Sequence, residues 1–311
     1  MSPFLSVVVP LYNEELVIKE MHARLTSALV GTDMDYEIVL VNDGSRDNTL
    51  KFAKEICKRD RKAKLVSFSR NFGHQIAITA GMDRASGQII VFIDADLQDP
   101  PEVIPDMIEK WREGYQVVYG VRAKRKGESV FKLATASLFY RLLRKMTSVE
   151  IPVDAGDFRL IDRKVLEQLK NMRENNRFVR GMVSWVGFRQ GKVEYTREKR
   201  FAGETKYPLK KMLKFALDGM LSFSLVPLKL SAGFGFLCAV VGFLMIVYGS
   251  VSKMFFPETS IPGWALVFVA IVFLGGAQLI TIGILGEYLG RIYEEAKGRP
   301  IYIVEEEVNF E

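Results

Sequence analysis

The sequence predicts an α/β domain built on a mainly parallel sheet, followed by two membrane-crossing helices. Three observations carry this expectation. Over the first 228 residues, continuous runs of Val, Ile and Leu alternate with helix-length segments, as in a parallel sheet covered on both faces. A polar cluster follows each of the first four runs. Beyond residue 228, two long stretches carry no charge.

The strand-length runs are LSVVVP (5–10), YEIVLVN (36–42), AKLVSFS (63–69) and QIIVFID (88–94), with VVYG (117–120) a further strand. The opening MSPFLSVVVPLYNEE has no basic residues before its apolar run and breaks at Pro10. It reads as a first strand, not a signal peptide. Leu230–Val251 and Gly263–Gly286 are uncharged, each about 22 residues or more and enough to cross a hydrocarbon core of roughly 30 Å. Soluble helices of that length normally keep a polar face. Lys229 precedes the first span, Arg291, Lys297 and Arg299 follow the second, and the connecting loop holds a single lysine. The basic excess places both chain ends in the cytoplasm. Trp264 suits an interfacial anchor, and the small residues Gly275, Gly276, Ala277, Gly286 and Gly290 would allow close helix contact, including a homo-oligomer. The expected organisation is a cytoplasmic catalytic domain (1–206), an amphipathic interfacial segment (207–228), a two-helix membrane domain (229–290) and a cytoplasmic tail (291–311).

Composition narrows the class. Cys57 and Cys238 form no motif, which suits a reducing compartment without disulfides. The net charge of +6 fits a membrane surface or phosphorylated substrates. No recognition motif supports nucleic-acid binding.

In parallel sheets ligands bind beyond the carboxyl ends of the strands. There lie YNEE, NDGSRDNT, SRNFGH and DADLQD, after the first four strands in order. Asp43-Gly44-Ser45 supplies a tight turn, with Asp47 or Asn48 capping the next helix; alternatively, Asp43 accepts hydrogen bonds from a base or ribose. Neither GxGxxG nor GxxxxGK[ST] occurs, so the usual phosphate cradles are missing. Asp94 and Asp96 would instead hold a hard divalent cation, Mg²⁺ or Mn²⁺, against substrate phosphates. His74 and His22 read as a capping and a surface residue, and Trp185 as a packing residue.

Together VVVPLYNEE, VNDGSRDNT, SRNFGHQIAITAGMDRASG and FIDADLQDPPE, in this order, resemble family 2 glycosyltransferases of GT-A fold. The likeness is to the polyprenyl-phosphate subset, which includes dolichol-phosphate mannose synthases and bacterial bactoprenol glucosyltransferases. It continues through GVRAKR, DAGDFRLIDRKV and RFAGETKYPLKKM to the two spans. The resemblance implies that Pro10, Tyr12 and Glu14 line the nucleotide and that Asp43 contacts the base. It implies that Asp94 and Asp96 bridge a cation to the donor diphosphate, with Gln98 a further ligand. It places Asp157 near the reacting sugar, Arg122 near the acceptor phosphate, and Arg200 and Lys206 at the active site. Thr205 stands where the family has serine, and Glu204 adds an acid beside these cations. The implied donor is UDP-glucose; UDP-N-acetylglucosamine, an amino-arabinose donor and GDP-mannose stay open.

The residues point to a lipid acceptor independently. Leu209, Met212, Leu213, Leu217 and Met220 form one face of a helix whose other face carries Lys210, Lys211 and Lys214. Val130–Met146 shows similar patterning. Basic amphipathic helices lie on anionic membrane surfaces. A polyprenyl phosphate is largely dianionic at neutral pH and barely needs a general base, so Asp157 is expected to orient groups and stabilise charge. An aspartyl-nucleophile phosphatase would want Thr or Val where Gln98 stands. A processive polysaccharide synthase would want a QxxRW-type motif and more spans.

Overall fold

A computed structural model describes residues 3–122, 155–196, 198, 224–255 and 263–310. The chain forms two compact units, Met1–Gly219 with Arg299–Glu311, and Met220–Gly298. In the first unit β1 (Leu5–Leu11), α1 (Ile18–Val30), β2 (Tyr36–Asn42), α2 (Thr49–Arg59), β3 (Ala63–Phe68), α3 (His74–Arg84) and β4 (Ile89–Phe92) alternate regularly. A 3₁₀ turn (Pro101–Val103), α4 (Ile104–Arg112), β5 (Val117–Arg122), β6 (Ala155–Asp162), α5 (Arg163–Asn171), α6 (Val179–Trp185) and β7 (Gln190–Tyr195) follow. The second unit holds α7 (Val226–Phe255) and α8 (Gly263–Ala296), and β8 (Val304–Val308) belongs to the first.

One sheet runs in the order β7-β5-β6-β4-β1-β2-β3-β8. Its centre, β3-β2-β1-β4, is parallel as the alternating runs predict. All residues of β1 and β2 are buried, which is why these strands read as mostly apolar runs. The α1 helix buries Ile18, Met21, Leu25 and Leu29, one stripe at helical spacing. Helix α3 lies close on β1: a Cβ at Gly81 would stand 2.1 Å from Val8 Cγ1, so only glycine permits this approach.

The remaining strands were less legible. β6 runs antiparallel between β4 and β5, and β7 is parallel to β5. The expected tail at 291–311 needs correction. Helix α8 continues to Ala296, and β8 adds antiparallel to the β3 edge. Tyr302 stacks on Phe68 with ring centres 5.2 Å apart, and Asn309 Nδ2 donates to the carbonyls of Cys57 and Ala63 at 2.8 and 2.7 Å. Three glutamates in a five-residue strand give no apolar signal, yet charge is what an exposed sheet edge tolerates.

Strand order reverses beside β1, with β2 and β3 on one side and β4 on the other. Ile93 N donates to Val8 O at 3.1 Å. Two residues later Pro10 has no N–H to offer, and β4 has already ended at Phe92. The two strands part there, opening the crevice that such sheets use for ligands.

In the second unit, Val226–Ser252 and Val267–Ala296 are long and apolar enough to cross a membrane. Large apolar side chains such as Phe236, Phe243, Leu279 and Ile280 are exposed, an extent of apolar surface that water-soluble monomers avoid. Phe234 meets Phe273 edge-on at 6.4 Å, and Tyr288 donates to Ser224 O at 2.7 Å. The amphipathic segments at 130–146 and 207–223 lie outside the described residues.

Glu37, buried on β2, accepts from Ser6 Oγ (2.6 Å), Ser86 N (2.7 Å) and Ser86 Oγ (2.8 Å) and pairs with Lys64 Nζ at 2.8 Å. Burial opposes its charge, but Lys64, Ser6 and Ser86 outweigh burial and hold the carboxyl below its usual value. The unfolded chain therefore takes up this proton first, at a pH of about 4.3. Stability from Glu37 is present above that pH and lost as pH falls through the lower folded value. Urea midpoints should decline over this range in the wild type and decline less in Glu37→Gln.

Candidate active site

The carboxyl-end loops are laced together pairwise. Between the loops after β1 and β2, Asn13 N donates to Ser45 Oγ (3.0 Å), Glu14 N to Thr49 Oγ1 (2.7 Å) and Arg46 N to Asn13 Oδ1 (2.8 Å). Of the two cap candidates for α2, Asp47 does the work: it accepts from Thr49 N at 3.0 Å. Asn48, at the cap position, makes no such bond. Pro10 is buried in β1, Tyr12 is exposed beyond it, and Glu14 is half-buried.

Asp43 joins the second loop to the third. Its carboxylate accepts from Phe72 N (2.6 Å), Gly73 N (3.0 Å) and Asn71 Nδ2 (2.9 Å). The acid that the resemblance assigns to the base is thus also the anchor of SRNFGH. Gly44, at φ +62, passes so close to this loop that a Cβ would stand 2.4 Å from the Arg70 carbonyl carbon.

In DADLQD, burial alternates: Ala95, Leu97 and Asp99 are buried, while Asp94, Asp96 and Gln98 face the open side. The alternation is held by Leu97, whose side chain sits in the core although its φ is +58, a conformation that costs a leucine about 1–2 kcal/mol. Asp96 accepts from Gln98 N at 3.1 Å, and Tyr195 O–H donates to Asp99.

His74 corrects the capping expectation. It opens α3, and its Nε2 lies 3.4 Å from Asp94 Oδ1 and 3.3 Å from Asp157 Oδ2. Asp157, on β6, is buried and grips Arg180: Nε donates to Oδ1 at 2.7 Å and NH2 to Oδ2 at 3.0 Å. Gln75 Nε2 also reaches Oδ2 at 3.3 Å, and its Oε1 accepts from Val179 N at 2.9 Å, fixing the start of α6. Burial opposes charge on Asp157, but Arg180 and His74 overcome it and hold the carboxyl well below the usual range. Burial likewise disfavours the His74 imidazolium, yet Asp94 and Asp157 raise it to about 9. Asp94 is pushed up to about 6 by burial, against His74 and with Asp157, Asp99 and Asp96 adding.

Asp94 and Asp157 are therefore brought together, through a histidine that motif reading set aside. Arg180 was missed altogether, because a seven-residue helix with one arginine carries no spacing signal. Arg122 ends β5 opposite Tyr195 of β7. Arg200 and Lys206 lie outside the described residues. His22 is more than a surface residue, its Nε2 lying 3.0 Å from Asp60. Trp185, expected to pack, is 61% exposed.

The acidic rim fits a hard cation. Asp94 and Asp96 present two carboxylates on the open side, where like charge already burdens Asp94. Among the described residues no group of three or more His, Cys, Asp or Glu is arranged to hold a metal. A cation here would draw its remaining oxygens from substrate and water, as Mg²⁺ commonly does.

A mainly parallel sheet with acidic loops at its switch point defines a GT-A-type domain. The glycosyl transferase family 2 model matches residues 6–170, and the chain belongs to that family; it is a glycosyltransferase. It is 55% identical over 306 residues to an uncharacterized glycosyltransferase of Bacillus subtilis (strain 168), covering 98% of this chain and 94% of that one. It is 41% identical to a bactoprenol glucosyl transferase of Shigella phage SfV, covering 97% and 98%. A prophage bactoprenol glucosyl transferase homolog of Escherichia coli (strain K12) is also 41% identical, over 96% and 98%. Among solved structures, glucosyl-3-phosphoglycerate synthase from Mycobacterium tuberculosis has a TM-score of 0.49 at 24% identity, covering 71% of this chain and 79% of that one.

Removing Arg180 would leave a buried carboxylate short of its main partner. Arg180→Ala should destabilise the protein by roughly 2–3 kcal/mol, somewhat under the cost of stripping a fully buried pair. Adding Asp157→Asn should restore most of that loss in denaturant titrations.

Proposed function

We propose that the protein transfers a sugar, glucose from UDP-glucose, to polyprenyl phosphate at the cytoplasmic face of a membrane, with inversion and with a divalent cation. The observation that carries this reading is the acidic crevice at the β1/β4 switch point in a chain that also bears two exposed, span-length apolar helices. Relatives named bactoprenol glucosyl transferase, similar over nearly the whole chain, support a polyprenyl acceptor and a glucosyl group. The basic residues after the second span support a cytoplasmic placement of both termini.

Asp94 and Asp96, with Gln98, would hold the cation, which when bound supplies charge stabilisation to the departing nucleoside diphosphate. The protein's own groups do the rest. Pro10, Tyr12 and Glu14 border the nucleotide crevice, with Asp43 keeping the third loop against it. Asp157 is a poor base, because Arg180 and His74 stabilise its charged form. It instead presents a fixed negative charge towards the sugar, favouring the cationic character that develops at the anomeric carbon. A phosphate dianion attacks without needing its proton removed. Arg122, Arg200 and Lys206 would offset repulsion between two anionic substrates and align the acceptor for in-line attack.

The test supplies full-length protein in lipid vesicles with polyprenyl phosphate, Mg²⁺ or Mn²⁺, and a panel of radiolabelled sugar nucleotides. UDP-glucose should give lipid-linked label, and Asp96→Ala should abolish it. Label passing to lipid from another donor alone would replace the assigned sugar. No lipid-linked product with any donor would remove the acceptor.

A further inference from the structure

Arg24 projects from α1, far in sequence from the residues of the site, yet it joins two segments that border it. Its Nε and NH2 donate to both oxygens of Glu102 at 3.0 and 2.8 Å. Its NH1 and NH2 donate to both oxygens of Glu198 at 3.0 Å each. Glu102 lies in the 3₁₀ turn that directly follows DADLQDPP. Glu198 follows β7 and stands two residues before Arg200.

The same two segments touch twice more. Glu198 N donates to the carbonyl of Gln98 at 3.0 Å, and Tyr195 O–H donates to Asp99. Isolated surface ion pairs contribute little. A guanidinium that grips two carboxylates, each through both oxygens, is different: it constrains orientation as well as distance. The neighbouring carboxylates hold its charge above even the usual arginine range, with Glu102 and then Glu198 the main causes.

We propose that Arg24 is a positioning residue. It fixes the spacing between the loop bearing Asp94, Asp96 and Gln98 and the segment leading into Arg200 and Lys206. This rests on the reading above, in which the first segment serves the donor diphosphate and the second the acceptor phosphate. Two anions that must meet in line need their holders at a set separation, and the clamp holds Glu198, two residues short of Arg200 in the chain, against the donor loop.

The experiment compares full-length wild type, Arg24→Ala, Arg24→Lys, Glu198→Gln and the double variant Arg24→Ala/Glu198→Gln in lipid nanodiscs. Lys62→Ala, which breaks an exposed pair with Asp35, is the control. Arg24→Ala should raise KM for polyprenyl phosphate roughly tenfold, the effect of a displaced but intact binding group, and leave UDP affinity unchanged. Arg24→Lys should recover part of that loss, and the double variant should be no worse than Arg24→Ala. An unchanged lipid KM, or an equal loss of UDP affinity and thermal stability, would overturn the proposal. Hydrogen exchange at the Glu198 amide separates its failure from that of the functional reading. Protection lost in Arg24→Ala, with a wild type that never glycosylates lipid, removes the acceptor but keeps the clamp. Unchanged protection removes the clamp whatever the activity.

Discussion

The constraint behind this structure is the crowding of carboxylates at one end of one sheet. Asp94, Asp96, Asp99 and Asp157 converge where β4 and β6 meet their loops, and like charges at such a distance in a partly desolvated crevice cannot all stay ionised unaided. Each is handled differently. Asp99 is buried against the Tyr195 hydroxyl, Asp157 is held ionised between Arg180 and His74, and Asp96 accepts a backbone N–H two residues on. Asp94 lies 3.4 Å from His74 Nε2, yet burial still leaves its carboxyl raised to about 6. On the proposed reading, a cation beside Asp94 and Asp96 would relieve part of this crowding.

The loops can hold this charge because they are tied to one another. Asp43 fastens the third loop, Glu14 and Asn13 meet the second, and His74 spans the third and fourth. Strain is admitted where it serves position: Leu97 takes a left-handed backbone so that its neighbours on either side face outward. Such a conformation persists only when its surroundings over-determine it, and the buried leucine side chain is what does so here.

What was legible in the sequence follows from the same physics. β1 to β4 announced themselves because strands buried on both faces are dominated by Val, Ile and Leu, with Ser6, Glu37 and Lys64 among the few polar exceptions. The acidic rim was legible because four polar clusters fell at equivalent strand ends. Both long apolar helices were legible because runs of that length without charge stand out in a chain that is otherwise rich in charge. β8 was not: VEEEV at a sheet edge is stabilised by backbone pairing and by Lys54 and Arg84 rather than by burial. Arg180 was hidden for a related reason. Its partner Asp157 lies on another element, and a pair made only by folding leaves no spacing in the chain. His74 was visible but misjudged, since a helix-opening histidine looks the same whether it caps or bridges.

The pinning of Asp157 bears on the kind of acceptor such a site can serve. A sugar hydroxyl has to lose a proton as it attacks, and an enzyme that uses one needs a base whose affinity for protons is near the working pH. An aspartate locked in a two-point bond to arginine, with histidine as second partner, is tuned the other way. Its low basicity would be a defect in hydroxyl glycosylation and is harmless when the nucleophile is already an anion. Binding two anions then becomes the harder problem, and basic groups around the crevice matter more than any base within it. On the proposed reading, the arginine on α6 would bear on the acceptor class by keeping Asp157 from serving as a base.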